Sequence, residues 1–519
     1  AAAGKPADRG RAMIGGVMGG MTGPQALPLL IVLTTVASAA AVFCLRDDQT
    51  RARAAVTLAG PSITLFLVVT MTLGVLAGDR HEVRIPFLPG EDIVLQSDAL
   101  SVLFTGLSSV LWLITTVYAL GYMRKGPNRS RFFGFFALCV SATMGVALAG
   151  NLVTFVVFFE ALTLATYPLV VHNGDEKTLR AGRIYLLYTL SGGAALLMGA
   201  LLLHALHGAS DFVVGGLLEQ AAARPADGPL ILVFAVMIAG VGVKAAIAPL
   251  HGWLPTAMVA PAPVSALLHA VAVVKVGAFG VVRIVYDVFG VTLAQGLGVL
   301  PWLAAAAAFT IIYGSVRALW QDDLKKRLAF STVSQVSYIA LGAALAHPAA
   351  AVGAIMHLIH QGIMKITLFF CAGAFAEVAG VKTVSGMDGL GRRMPWTCAA
   401  FTIGALGMIG VPPTAGFVTK WKLAEGGLAS GDAWVVAVLL GSSALNAGYF
   451  LPVLNRMWFG TDAAALRADA PPRWRVAMMA GPPLATAGMT LAAALLATSI
   501  FSPLGWAEAL ALAEFGFWR

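Results

Sequence analysis

Five charged side chains stand inside long apolar stretches of the sequence: Glu160, Lys244, Lys275, Lys365 and Lys420. An ionisable group at the centre of a bilayer costs ~2.5–3.5 kcal/mol on an insertion scale and usually faces the protein interior or water. A carboxylate and an amine in apolar surroundings can exchange a proton as they approach and separate. These residues are therefore the candidate catalytic set for moving protons inside a membrane. For Glu160 and Lys244, the alternative is a static ion pair that fixes helix packing.

Histidine and glutamine side chains near these lysines add groups that could relay a proton. His357, Gln361 and Lys365 recur every four residues and form a stripe within about 80° of one helix face. His269 precedes Lys275 by six residues, roughly 120° around a continuous helix, so the two need not share a face. Imidazole titrates near neutral pH and can pass a proton between its two nitrogens, so the stripe suits a relay. Two more histidines are candidates for the relay, with a structural role as the alternative: His251 and His360.

Proline-rich breaks interrupt the apolar stretches beside two of the lysines. Pro249 and three further prolines follow Lys244, and Pro412 and Pro413 precede Lys420. Proline removes a helix hydrogen bond, and irregular backbone at membrane depth is tolerated only where it is buried in protein or lines a polar cavity. Paired breaks in corresponding halves are typical of an inverted-repeat transporter with a site near the midplane. An ordinary loop is the alternative, especially at the first break.

The composition places these groups in a membrane protein. Of the 519 residues, 59% are apolar and 11% are charged, whereas an average soluble protein has ~25% charged residues. A mean hydropathy of +0.83 over the whole length excludes a soluble enzyme with one anchor, a disordered chain and an outer-membrane barrel. We therefore predict an all-α polytopic membrane protein. Its fourteen predicted spans lie near 27–45, 54–77, 98–121, 132–149, 152–171, 184–205, 229–249, 257–286, 297–320, 328–346, 350–376, 396–424, 432–458 and 475–500.

The distribution of basic residues predicts how the spans are oriented. With the N-terminus outside, 21 of the 34 Lys and Arg residues fall in connections facing the cytoplasm, nine face outside, and four are the lysines inside spans. This asymmetry follows the positive-inside rule. We therefore predict a multi-pass protein of a bacterial inner membrane with both termini on the periplasmic side. The net charge of +9 then needs no nucleic-acid partner.

The predicted chain organisation has five parts and no cofactor site. The parts are an N-terminal extension at 1–26, three spans at 27–131, a first five-helix repeat at 132–286, a second at 297–458, and a last span with a short tail at 475–519. The seventh and twelfth spans are the broken ones, and residues 210–223 are predicted to form a short amphipathic surface helix. Four cysteines lie singly, without the spacing of metal or haem ligands, so we expect neither a metal nor a cofactor: Cys44, Cys139, Cys371 and Cys398.

Long motifs resemble one membrane-protein family. The segments HGWLPTAMVAPAPVSALLHAVAVVKVGAFGVVR, GMDGLGRRMPWT and MIGVPPTAGFVTKWKL resemble the proton-translocating antiporter-like subunits, which include Mrp-type cation/proton antiporter subunits and the pumping subunits of respiratory complex I. EALTLATYPLVVHNG, MKITLFFCAGA and LLGSSALNAGYFLPVLNRMWFG are most similar to the D-type subunits of the Mrp antiporter. The resemblance covers roughly residues 95–460.

The resemblance implies two inverted five-helix repeats with a charged axis in the membrane plane. Glu160 and Lys244 match the family's Glu–Lys pair, and Lys275 and Lys365 match its central relay. The lysine of the second broken helix corresponds to Lys420. The family commonly has His where this chain has Gln361, so the relay there would pass through water or shift to the adjacent histidine, His360.

The implied function is that of one subunit in a hetero-oligomeric membrane complex. The leading hypothesis is a multi-subunit Na⁺ or K⁺/proton antiporter. One alternative is a pump subunit of a redox-driven complex, such as complex I or a membrane-bound hydrogenase. Another is a non-transporting scaffold or an accessory to an uptake system, against which the complete Glu–Lys set argues. In every case, the expected partners are other membrane subunits and the lipid bilayer.

Overall fold

The computed structural model describes residues 23–123, 126, 128–208, 211–221, 225–461, 472–499 and 502–515. Most of the predicted N-terminal extension lies outside these residues. The helices are α1 (Leu27–Phe43), α2 (Thr50–Leu76), α3 (Ala99–Tyr122), α4 (Arg129–Ala147), α5 (Leu152–Val170), α6 (Glu176–His207), α7 (Asp227–Lys244), α8 (Ala262–Ala270), α9 (Val273–Arg283), α10 (Leu300–Leu319), α11 (Leu324–Ala344), α12 (Pro348–Ala374), α13 (Pro395–Ile409), α14 (Ala415–Ala429), α15 (Trp434–Phe459), α16 (Arg473–Leu495) and α17 (Pro503–Phe515). Short α-helical turns lie at Trp253–Thr256 and Val291–Gly296, and the two strands are β1 (Glu82–Leu88) and β2 (Glu91–Gln96).

The predicted all-α polytopic membrane fold is confirmed. Within the described ranges, eleven helical segments are long and apolar enough to cross a membrane. Each of the fourteen predicted intervals overlaps at least one α-helix, and the twelfth interval overlaps both α13 and α14. The number of spans stays a prediction, because α1 and α13 are short apolar helices of 17 and 15 residues. Helix α11 has the length of a span but is too polar to be among the eleven.

Three central helical segments form the core of the bundle. Every residue of Ala262–Phe289, which comprises α8, α9 and a π-helical extension, is buried. All residues from Arg327 to Ala344 in α11 and from Ala350 to Ala374 in α12 are buried as well. Polar side chains on these segments therefore face other protein groups and not lipid. Apolar side chains on the outer helices, such as Phe66 of α2 and Leu187 of α6, are exposed instead.

The two predicted helix breaks are present. Helix α7 ends at Lys244, and the chain then forms turns that contain Pro249. Helix α13 ends at Ile409, and the next residue, Gly410, has a φ of 92°, in the left-handed region that glycine adopts readily. Pro412 and Pro413 follow in the turn before α14. At each break, the carbonyl oxygens at the end of the half-helix lack their intrahelical hydrogen-bond donors. A cation is favoured at such a helix end.

A third break interrupts the eighth predicted span, which was expected to be one continuous helix. Helix α8 ends at Ala270 and α9 begins at Val273. The amide groups of Val271 and Ala272 both donate to the carbonyl of Leu267, at 3.1 and 2.9 Å. The angle of roughly 120° that a continuous helix gives between His269 and Lys275 therefore does not apply. No proline or glycine marks this break, so the local sequence carries no signal for it.

One end of the bundle carries a β-hairpin that was not predicted. Strands β1 and β2 pair in antiparallel fashion. The hairpin packs on the connection between α4 and α5, since the amide of Gln96 donates to Leu148 O and that of Gly150 to Val94 O, both at 2.8 Å. We call this the hairpin end. The described residues 211–221, at the same end, form turns and not the predicted amphipathic helix, because Gly215 and Gly216 adopt φ of 82° and 94°.

The opposite end opens into a polar cavity of about 650 Å³. We call this cavity the vestibule, and it is lined by connections that were predicted to face the cytoplasm. Its charged lining includes Arg131, Lys177, Lys325, Glu377 and Lys382. The Lys325 amine donates to the carbonyl of Ala260, at 2.5 Å, beside the start of α8. The vestibule therefore places charged side chains beside the start of α8.

The contact between α9 and the end of α7 can be tested at Gly277. A Cβ atom there would lie 2.1 Å from the backbone nitrogen of Ala245. Gly277→Ala forces the two segments apart, and overpacking of this kind costs roughly 1–3 kcal/mol. We expect a lower Tm for the purified protein in detergent. Gly106→Ala is the matched control, since a Cβ at Gly106 meets no atom within 4 Å; an equal fall in both variants would contradict the contact.

Candidate functional site

Glu160 and Lys244 lie beside each other but are not joined by a direct bond. The Lys244 amine donates to the backbone carbonyl of Phe159 and lies 3.4 Å from the centroid of the Phe159 ring. Glu160 Oε1 is buried without a hydrogen-bond partner. The two charges are close enough to interact electrostatically. The Lys244 amine therefore bonds to the carbonyl of the residue before Glu160, within electrostatic range of the carboxylate.

Gly193 of α6 makes room for the Glu160 carboxylate. A Cβ atom at Gly193 would lie 1.5 Å from Glu160 Oε1. Any larger residue would push the carboxylate out of its place between α5 and α6. Gly193 was not predicted as part of the site, because a glycine in an apolar helix more often permits close helix packing.

Lys275 lies in the core with no partner for its amine. The residue is fully buried, and its Nζ atom has no hydrogen-bond partner among the described residues. Its helix, α9, presses Gly277 against the backbone of Lys244 and Ala245 at the end of α7. Lys275 therefore lies next to the segment that carries Lys244. A buried amine without any acceptor is costly unless it is neutral or meets water.

His269 lies in α8, before the unpredicted break, whereas Lys275 lies in α9, after it. Its ring stacks on Phe369 of α12 with centroids 4.5 Å apart, and neither ring nitrogen has a hydrogen-bond partner among the described residues. The charges that act on it are those of Lys365 and Lys325. His269 thus lies within electrostatic range of both Lys365 of α12 and Lys325, which lines the vestibule.

Helix α12 carries the predicted stripe of relay groups. The Lys365 amine donates to Ser331 Oγ of α11 at 2.5 Å. His357 Nδ1 lies 3.1 Å from Thr419 Oγ1 of α14, while its Nε2 atom has no partner in the described part of the chain. Both polar atoms of the Gln361 side chain are buried and likewise unpartnered there. A site with several unpaired polar atoms in a row is one that ordered water would complete.

Lys420 is held by the carbonyls at the end of the preceding half-helix. Its amine donates to Met408 O at 3.1 Å and to Ile409 O at 2.8 Å, both from α13. It also donates to Ser443 Oγ at 2.8 Å. The second break therefore supplies the acceptors that this lysine needs. Lys244 differs, because it is itself the last residue of its half-helix.

His360 and His251 occupy other places. His360 Nδ1 lies 2.9 Å from the carbonyl of Ala415, and its ring borders an apolar cavity of about 350 Å³ between α3, α12 and α16. His251 lies in the first break, edge-on to Tyr313 at 4.9 Å. His251 therefore lies apart from His269 and His357, whereas His360 is near enough to His357 and Lys275 to interact with both electrostatically.

Several residues of the site were not identified from the sequence. Ser331, Thr419 and Ser443 provide acceptors or partners for Lys365, His357 and Lys420 respectively. Hydroxyl residues are common in membrane helices, where they usually bond to their own backbone, so residue type alone does not mark them. The one signal in the sequence is the density of Ser, Thr and Gln residues in α11, which is high for an apolar span.

Comparisons with known proteins place the chain among transporters and respiratory complexes. The family model described as "NADH:quinone oxidoreductase/Mrp antiporter, TM" matches residues 149–446. NADH-quinone oxidoreductase subunit N of Desulforudis audaxviator is 39% identical over 372 residues, which cover 69% of this chain and 72% of that protein. The D-type subunit of the Na(+)/H(+) antiporter of Bacillus subtilis is 29% identical over 371 residues, covering 71% of this chain and 74% of that protein. A chain of the Mrp complex from Dietzia sp. DQ12-45-1b shares the fold, with a TM-score of 0.84, 23% identity and coverage of 95% of this chain and 98% of that one.

Gly193→Ala tests whether the place of the Glu160 carboxylate depends on α6. The added methyl group would overlap Glu160 Oε1, so we expect the carboxylate to turn away from α6 and the Tm to fall. Cryo-electron microscopy of the variant would locate the carboxylate. Gly228→Ala introduces the same group where a Cβ meets no atom within 4 Å and serves as the control. An unmoved Glu160 in Gly193→Ala would show that the carboxylate has other room.

Proposed function

Because the chain belongs to the NADH:quinone oxidoreductase/Mrp antiporter membrane-subunit family, we propose that it conducts protons as one subunit of a Na⁺ or K⁺/proton antiporter. The observation that carries the proposal is the state of its buried lysines. Lys244, Lys275, Lys365 and Lys420 are each at most 8% exposed, and no ion pair within 4.0 Å joins any of them to a described carboxylate. Static structural lysines would be paired, since an isolated buried charge is strongly unfavourable. Amines that take up and release protons need free or exchangeable partners.

The proposed path runs from Glu160 and Lys244 through Lys275 and Lys365 to Lys420. Lys275 and Lys365 interact electrostatically, so a proton that arrives on one disfavours a charge on the other. Uptake at one amine therefore promotes release from the next. Approach of Glu160 to Lys244 would favour the charged pair, and separation would favour release. No cofactor is needed for these transfers.

Water is the proposed carrier between the central groups. Gln361 cannot take up a proton at physiological pH, but its two unpaired buried atoms can orient water between His357 and Lys365. His360 is the less suitable substitute, since its ring borders the apolar cavity between α3, α12 and α16. The proposed relay thus keeps His269 and His357 as titrating groups.

The chain is further proposed to contain two inverted repeats, 132–286 and 297–458, in a bacterial inner membrane with the vestibule on the cytoplasmic side. Support for the repeats comes from the breaks after Lys244 and before Lys420. Support for the orientation comes from the basic side chains of the vestibule, among them Arg131, Lys177 and Lys382, and from the positive-inside rule. Partner subunits would be other membrane proteins, as in the related Mrp complex.

A redox-driven pump is the second candidate assembly. The higher sequence identity to an NADH-quinone oxidoreductase subunit than to an antiporter subunit specifically favours it. The same buried path would then conduct protons, but the driving free energy would come from electron transfer in a partner subunit.

Reconstitution of the whole complex separates the two assemblies. The complex would be purified through a tag on this chain and placed in liposomes with a pH-sensitive dye inside. Proton movement driven by an imposed Na⁺ or K⁺ gradient, without an electron donor, would support the antiporter. Proton movement only on addition of a reductant and quinone would support the redox pump and contradict the antiporter.

Lys244→Ala and Lys420→Ala test the path itself. We expect each variant to slow proton movement on the order of 10²-fold or more, because a positioned proton-transfer group typically contributes that much. Lys422→Ala is the matched control, since Lys422 is a partly exposed lysine on the same helix as Lys420 and pairs with Glu425 at 3.3 Å. Wild-type rates in Lys244→Ala would refute the path.

The roles of Gln361 and His360 can be compared directly. Gln361→Leu removes the polar atoms that would orient water, so we expect a clear loss of proton movement in the same liposome assay. His360→Leu is expected to retain most of the rate, because His360 faces the apolar cavity. The opposite ranking would place the relay on His360.

A further inference from the structure

A second cluster of ionisable groups lies at the hairpin end, outside the proposed path. The Arg283 guanidinium lies 2.6 Å from Asp98 Oδ2 and 3.1 Å from Asp287 Oδ2. The side chains of Arg283 and Asp287 are only 2% and 5% exposed. Asp98 also caps α3, accepting a hydrogen bond from the Ser101 amide at 2.7 Å. The cluster thus joins the start of α3 to the end of the eighth span.

The C-terminal helix α17 adds a third carboxylate to this cluster. Glu514 accepts a hydrogen bond from the Gly215 amide at 2.9 Å, and the charges of Asp287, Arg283 and Asp98 act on it. The ring of Phe515, the next residue, meets the Tyr286 ring at 6.0 Å. Arg283 therefore pairs with two carboxylates and lies within electrostatic range of a third. With every group ionised, the cluster would carry an excess of two negative charges in a largely buried place.

Two buried polar atoms of the cluster are unpaired. The Tyr286 hydroxyl and Arg283 Nε have no hydrogen-bond partner among the described residues. Tyr286 is 2% exposed, and its position beside Asp287 and against Phe515 places it at the carboxylate cluster. Unpaired buried polar atoms indicate a place for ordered water, and the excess negative charge beside them favours a proton on one of the carboxylates.

We propose that Asp98, Asp287 and Glu514, arranged around Arg283, form a proton-binding site through which protons pass between the bundle and the aqueous phase at the hairpin end. Asp287 lies twelve residues after Lys275 on the same helical segment, about 18 Å along its axis. Glu514 is partly exposed, so its carboxylate can take a proton from water or return one to it. The inference rests on the proposed function, since this site would be the outlet of the proposed path from Glu160 to Lys420.

The surroundings of Glu514 favour a proton on this carboxylate near neutral pH. Burial and the nearby charge of Asp287 raise the pKa of Glu514 to about 8, although the hydrogen bond from Gly215 opposes the shift. Glu514 belongs to α17, a helix of 13 residues that is not among the spanning segments. Since the raised pKa lies above neutrality, the carboxyl group is protonated at lower pH and loses its proton as the pH rises through about 8.

Infrared difference spectroscopy of the whole complex in nanodiscs tests the site. Between pH values of about 6 and about 9, the wild type is expected to lose a protonated-carboxyl band with a midpoint near 8. Glu514→Gln keeps the size of the side chain and an acceptor for Gly215, and it should abolish this band. Glu508→Gln is the matched control on the same helix, since Glu508 pairs with Lys422 at 3.8 Å outside the cluster. A band that persists in Glu514→Gln would overturn the proposal.

A transport measurement separates this inference from the proposed function. We expect Glu514→Gln to slow proton movement in the liposome assay at least several-fold and to remove its dependence on pH at the hairpin end. Unaltered transport in Glu514→Gln would refute the outlet while leaving the antiporter path intact. A wild-type complex that shows the carboxyl band but moves no protons would refute the proposed function instead.

Discussion

The cost of placing charge in an apolar interior governs this structure. Four lysines and a glutamate lie within the bundle, and moving each ion from water into a low-dielectric interior costs several kcal/mol even after relaxation. The structure offsets that cost in different ways at different lysines. Lys420 takes three acceptors, Lys365 takes a serine hydroxyl, and Lys244 takes a backbone carbonyl. The three wholly buried central segments surround these groups with protein.

The two broken helices solve the same electrostatic problem by different local means. Lys420 follows its break and reaches back to the free carbonyls of α13. Lys244 precedes its break and ends its own half-helix, where the negative end of the helix dipole favours a cation. In both cases, the interrupted helix provides a polar environment for a lysine amine, which a continuous helix would not provide. Each break and its neighbouring lysine therefore form a single structural unit, in which the helix end stabilises the amine.

The sequence could predict those parts of the site whose signal is local. A lysine within twenty apolar residues stands out by type alone, and a Pro-Pro pair marks a break wherever the chain folds. The gap between α8 and α9 has no such mark, since Val271 and Ala272 are ordinary helix residues and tertiary packing overrides their propensity. Ser331 and Gly193 matter only because α11 and α6 bring them against Lys365 and Glu160. The hairpin was missed because strands β1 and β2, of seven and six residues, lie in a connection between two predicted spans, and a search for long apolar stretches assigns no structure there.

The polarity of α11 has a consequence for how the chain enters the membrane. This helix carries Arg327, Gln335 and several hydroxyl residues, yet from Arg327 onward it is buried within the folded bundle. Entering the bilayer alone, it would meet hydrocarbon with groups that have no partners there. Its insertion must therefore be coupled to that of its apolar neighbours α10 and α12, which both contact it. Biogenesis of the central segment is thus a concerted event, in which the helix that serves Lys365 is carried into the membrane by the helices around it.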